Sequence, residues 1–145
     1  MKKLLLASGT IIMVLLFNSC TKQQVFNRTY FHTILASTNE VPARQSAGYG
    51  DASGFFNNET KILTLTINYI DLRAPLTAWH IHKAAAGVNG SVIFNFGTPK
   101  PSGFIYVSEP FTADQENDLM TGNNYVNLHT SVFPGGEIRG QLQKY

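Results

Sequence analysis

Four histidines carry most of the chemistry this sequence offers: His32, His80, His82 and His129. Two of them stand in Trp79-His80-Ile81-His82. In an extended strand, residues two apart project from the same face. His80 and His82 then project together, roughly 7 Å apart at the backbone, while Trp79 and Ile81 project to the other side. Two imidazoles so placed can reach one ion, and imidazole suits copper, zinc and nickel. The same reading of Tyr125-Val126-Asn127-Leu128-His129-Thr130 sends Val126 and Leu128 inward and Asn127 and His129 outward. In Glu137-Ile138-Arg139-Gly140-Gln141-Leu142, Ile138 and Leu142 face in, and Glu137, Arg139 and Gln141 face out. Phe133-Pro134-Gly135-Gly136 turns the chain between these strands, which predicts a hairpin with His129 beside Glu137 or Arg139. If the His80 strand lies near that hairpin, His80, His82 and His129 form a copper or zinc patch. Glu137 then serves as an acceptor that orients an imidazole N–H, with Asn127 and Arg139 alongside. A solvated row of histidines bonded to Arg139 and Glu137 accounts for the same residues without a metal. Arg139 packed over the patch would oppose a cation. His32, beside Phe31, reads as an ordinary partly buried histidine.

Nothing else forms a catalytic constellation. There is no Gly-x-Ser-x-Gly, no phosphate-binding glycine loop and no Cys-x-x-Cys, and the carboxylates are scattered. The expectation is a module that is not an enzyme.

The elements that must position these residues are strands. Runs rich in β-formers, broken by turn residues, cover about 29–36, 48–57, 61–71, 77–83, 91–96, 103–108, 124–130 and 137–143. The third is the clearest: Ile62, Thr64, Thr66 and Asn68 alternate with Leu63, Leu65, Ile67 and Tyr69. Gly87-Val88-Asn89-Gly90 turns the chain after the histidine strand. Thr112 and Gln115 fit a capping box and Gly122 a helix stop, so one short helix is predicted within 111–122, packing Leu119 and Met120 onto the sheet. About eight strands at this spacing predict an all-β sandwich. A chain of 145 residues accommodates one such domain, and 43% apolar with 14% charged residues excludes disorder and a coiled coil.

The N-terminus has a different character. Lys2 and Lys3 precede an apolar stretch from Leu4 to Phe17, too short to span a bilayer but suited to a signal peptide. It ends in Leu16-Phe17-Asn18-Ser19-Cys20, which resembles a bacterial lipobox. Residues 1–19 then read as a lipoprotein signal peptide, and 20–28 as the lipidated Cys20 and a tether. Acyl chains on Cys20 would hold the protein to the bilayer, since two or more chains anchor stably. The single cysteine forbids an intrachain disulfide. Thr21, in place of an Asp that would retain the protein at the inner membrane, favours the outer membrane. Removing Lys2 and Lys3 from the 11 basic residues leaves nine, matching the 9 acidic ones. A neutral chain with no basic run excludes nucleic acid as a partner. An envelope protein partner stays open.

Several phrases, taken in order, resemble the chordin-type (CHRD) domain. They are Asn39-Glu40-Val41-Pro42, then Trp79-His80-Ile81-His82 followed by Gly87-Val88-Asn89-Gly90-Ser91-Val92, then Tyr125 to Thr130 running into Pro134 to Leu142. The resemblance covers about residues 29–143. Ala43, Trp79 and Ser91 stand where the family usually has Pro, Ala and Pro. The resemblance implies an immunoglobulin-like or superoxide-dismutase-like Greek-key β-sandwich. The domain occurs in chordin, an animal protein that binds growth factors, and in bacterial exported proteins; a growth-factor role does not carry to a bacterial lipoprotein. The His-x-His strand is also similar to the copper strand of copper–zinc dismutases. The dismutase disulfide is impossible here and the zinc-loop cluster is missing, so a dismutase-like redox enzyme is the least favoured reading.

Overall fold

The computed structural model describes residues 27–145. Nine strands are joined in one sheet: β1 (Arg28–Ala36), β2 (Tyr49–Asn57), β3 (Ile62–Ile70), β4 (Leu76–Lys83), β5 (Ser91–Asn95), β6 (Phe104–Val107), β7 (Asn124–Thr130), β8 (Ile138–Gln141) and β9 (Gln143–Lys144). The helix α1 spans Ala113–Met120, between β6 and β7. Strand order is β5-β4-β7-β8-β1-β2-β3-β6, with β9 on β1, and every pairing is antiparallel.

The sheet is curled into two layers. A single residue pair, Ala36 and Arg139, joins β1 to β8. That seam lets β5-β4-β7-β8 fold over β1-β2-β3-β6. Inward residues of both layers share one core: Leu63, Leu65 and Ile67 from β3, Trp79 and Ile81 from β4, Val126 and Leu128 from β7. Trp79 fills its centre. Its ring stacks on Phe104 at 4.8 Å and meets Phe96 edge-on at 5.7 Å, and its Nε1 donates to Gly97 O at 3.1 Å. The chain is thus an all-β sandwich with one short helix, as the alternating pattern predicts.

The helix follows its sequence signals closely. Thr112 Oγ1 accepts from Gln115 N, and the Gln115 side chain accepts from Thr112 N, closing the capping box. Gly122, at φ +74°, takes the left-handed position that ends the helix. Leu119 is buried in the core and Met120 packs against it.

The last run departs from expectation. The predicted strand 137–143 divides at Leu142, whose side chain enters the core. Leu142 N still bonds Asn124 O on β7, but Gln143 and Lys144 cross the seam to pair with β1. This gives a ninth strand and closes the sandwich on that side.

Replacing Trp79 by Ala should cost about 3–5 kcal/mol of stability, because the cavity it leaves touches both layers. Urea unfolding of the two proteins, followed by circular dichroism, measures the difference.

Candidate metal centre

β7 lies between β4 and β8, and the pairing places the histidines as neighbours. Ala78 pairs with His129, His80 with Asn127, and His82 with Tyr125. On the other side Asn127 pairs with Arg139 and Tyr125 with Gln141. The outward side chains therefore form a contiguous layer. The ligand atoms of His80, His82 and His129 all lie within 4.8 Å of one another. The sequence predicted this grouping, and the structure places the three residues together.

Their ring nitrogens are sorted by hydrogen bonds. His82 Nδ1 lies 3.0 Å from Gly90 O, and His129 Nδ1 lies 3.0 Å from Pro134 O. A carbonyl only accepts, so each Nδ1 carries the proton and each Nε2 keeps its lone pair. His80 Nδ1 sits 3.1 Å from His129 Nε2. His82 Nε2 is buried without any partner. Backbone acceptors that fix the tautomer this way are the usual support of a metal-binding imidazole.

Burial pushes all three imidazoles below their ordinary basicity. His80 falls to about 4, through desolvation first and then the neighbouring His129 and His82. His82 is lowered by burial, against the opposing bond to Gly90, and further by His129 and Arg139. His129 is lowered by burial against its bond to Pro134. The cluster is neutral at pH 7, the state that binds metal.

One loop holds this geometry. Tyr125 Oη accepts from Gly90 N at 3.1 Å, Gly90 O accepts from His82, and the His82 ring stacks on Tyr125 at 4.7 Å and 4°. Gly90 has no room for a side chain: a Cβ there would meet Lys83 O at 1.8 Å. The Asn89-Gly90 turn therefore lies directly on the histidine strand.

The outward side is not solvated, which corrects the sequence reading of Asn127, His129, Glu137 and Arg139. All four are buried. Loops cover this face, and the two charged groups are used structurally. Glu137 does not orient an imidazole. Its Oε1 accepts from Ser46 Oγ at 2.5 Å and Arg73 N at 2.6 Å, and its Oε2 from Thr130 Oγ1 at 2.6 Å. It ties two loops to the end of β7. Arg139 does not pack on the histidines. It lies 3.5 Å over the far face of Tyr125 and donates to Asn89 Oδ1 and Val88 O. Its charge reaches His82 through the Tyr125 ring. Asn127 packs under Gly136 against Glu40.

Glu40 and Tyr125 are the members that sequence reasoning missed. Glu40 is buried, its Oε1 has no partner, and desolvation raises its carboxyl to about 7 against Arg139, Arg44 and Asn127. The signal available was its place in the Asn39-Glu40-Val41-Pro42 phrase. His32 is exposed on the outer face of β1, edge-on to Tyr145 at 5.1 Å, and stands apart from the cluster. Cys20 lies outside the described residues.

Comparison with known families matches residues 31–142 to the CHRD domain. The chain belongs to the CHRD domain family. No curated protein and no solved structure matches it.

The Glu40 carboxyl sets a pH dependence. Its folded pKa of about 7 exceeds its ordinary 4.5. Between those values the folded protein holds a proton that the unfolded chain has lost, so this group's contribution declines as pH rises from 4.5 to 7. Glu40→Gln removes that decline. The variant should gain on the wild type by roughly 2–3 kcal/mol across this interval, measured by urea unfolding at each pH.

Proposed function

We propose that this chain is an exported lipoprotein whose CHRD domain is a non-catalytic envelope module that binds one copper or zinc ion through His80, His82 and His129. The observation that carries the metal reading is the convergence of three neutral imidazoles within 4.8 Å, two of them with Nδ1 committed to backbone carbonyls. Zinc–nitrogen bonds of about 2.0–2.1 Å need such a spacing, and three protein ligands leave a position open. The lipoprotein reading is supported by the charged, apolar and Ser19-Cys20 sequence of the N-terminus. With Thr21 rather than Asp after Cys20, it favours the outer membrane. A CHRD domain is a binding module. A dismutase-type reading would need His32 as a fourth ligand, and His32 is on another face.

Residues 21–145, dialysed and titrated with zinc or copper at pH 7, should bind one equivalent. The His80→Ala/His82→Ala variant should lose it. Failure of the wild type to bind more tightly than about 10 μM, near −7 kcal/mol, rejects the metal reading. Membrane fractionation of the full chain tests the anchor: Cys20→Ala should release it from the acylated membrane form.

Tyr125→Phe keeps the stack on His82 but removes the hydroxyl that pins Gly90. Metal affinity should fall by roughly 10–100-fold, with unfolding stability lowered by about 1–3 kcal/mol through the Gly90 N–H left without its acceptor. Competition against a chelator of known affinity measures it.

A further inference from the structure

The two layers of the sandwich have unlike outer faces. Loops cover the β4-β7-β8 side, whereas the outer face of β1-β2-β3-β6 is bare. Register places its side chains in rows. Tyr30, Phe55, Thr64 and Val107 form one row, and His32, Ser53, Thr66 and Ile105 the next. Ile34 follows with Asp51, then Tyr49 with Ile70. Tyr145 joins the first two rows, with its ring 6.1 Å from Tyr30 and 5.1 Å from His32. Ten large apolar side chains are exposed among the described residues, and seven of them lie on this face. Ile105 and Val107 are each 59% exposed and Tyr145 is 72% exposed. The middle of the face carries hydroxyls. Its one carboxylate, Asp51, is held by the Asn68 amide at 3.2 Å. Its one guanidinium, Arg28, lies 4.0 Å over Phe55 at the start of β1.

We infer that this face rests on the lipid surface to which the chain is anchored. The inference rests on the acylation of Cys20 proposed above. Six residues lie between Cys20 and Asn27, so the seven Cα–Cα steps reach at most about 25 Å. The anchor chain therefore enters at the Arg28 end of β1, beside the row of Tyr30 and Phe55. Tyrosines and aliphatic groups around a centre of hydroxyls, with the Asp51 carboxylate held by Asn68, suit the headgroup boundary, where tyrosine rings concentrate. The histidine cluster, on the opposite layer, would then face away from the bilayer. A second copy of the chain is the competing occupant. Three nine-residue strands about 4.8 Å apart and roughly 30 Å long, with only four residues of β6 and two of β9 beside them, give a patch of roughly 500 Å², below the roughly 800 Å² of a standard interface half.

The test uses the full acylated chain, processed in a bacterial host and reconstituted into phosphatidylethanolamine–phosphatidylglycerol vesicles. Acylation blocks Cys20, so an introduced cysteine is the sole labelling site. Thr66→Cys reports the middle of the face and Asn117→Cys the helix, each carrying a polarity-sensitive fluorophore. The expected result is a blue shift at 66 that brominated lipid quenches, with the label at 117 remaining water-like. Ile105→Asp with Val107→Asp should return the label at 66 to its aqueous emission. Two water-like labels on a chain whose Cys20 acylation is verified by mass spectrometry overturn the docking alone. A blue shift at 66 without lipid quenching, together with a 66–66 disulfide when the unlabelled Thr66→Cys chain is oxidised, overturns it in favour of a dimer. An unmodified Cys20 overturns the anchor reading and the docking with it.

Discussion

A strand buried on both faces must satisfy its polar atoms from within the protein, because an unmet buried group costs about 1–3 kcal/mol. β7 is such a strand: every residue from Asn124 to Thr130 is buried. Its inward side chains join the apolar core. Its outward ones build a second, polar layer with β4, β8 and the loops above them. Glu137 takes three hydrogen bonds there, Arg139 reaches Val88 and Asn89, and His129 donates to Pro134. The covering loops are thereby fixed to the sheet, and the histidines beneath them are fixed as well.

Within that satisfied layer the exceptions are informative. His82 Nε2, Asn127 Oδ1 and Glu40 Oε1 are buried without partners. Glu40 and Asn127 approach each other under Gly136, and a carboxyl raised to about 7 can donate its proton to an amide oxygen when neutral. His82 has no such neighbour. Its ring stands in the group whose ligand atoms, with those of His80 and His129, lie within 4.8 Å of one another. Arg139 would repel that cation at close range. The Tyr125 ring stands between them.

The asymmetry of the two layers has the same origin. Long connections after β1, β4 and β7 cross the outer face of one layer and convert it into an interior. The outer face of the other layer has no such cover among the described residues. Its exposed tyrosines and aliphatic residues follow the same two-residue alternation as the core, read from the opposite side.

Much of this was legible in the residues. Alternation in Lys61 to Asp71 identified the strand and its buried side. Thr112, Gln115 and Gly122 marked both ends of the helix. The spacing of His80 and His82, with outward His129, identified the three-histidine group, because strand register is a local property. The roles of Glu137 and Arg139 were not legible. Parity shows which way a side chain leaves the sheet, but not whether water or a loop meets it there. Ser46, Arg73, Val88 and Asn89 come from distant loops, and only the folded chain brings them over β7 and β8. The same is true of Glu40, whose burial depends on Gly136, nearly a hundred residues away. Local sequence determined the strands, their faces and the histidine pattern. Tertiary structure decided which polar groups became buried, since burial is set by what the rest of the chain lays on top.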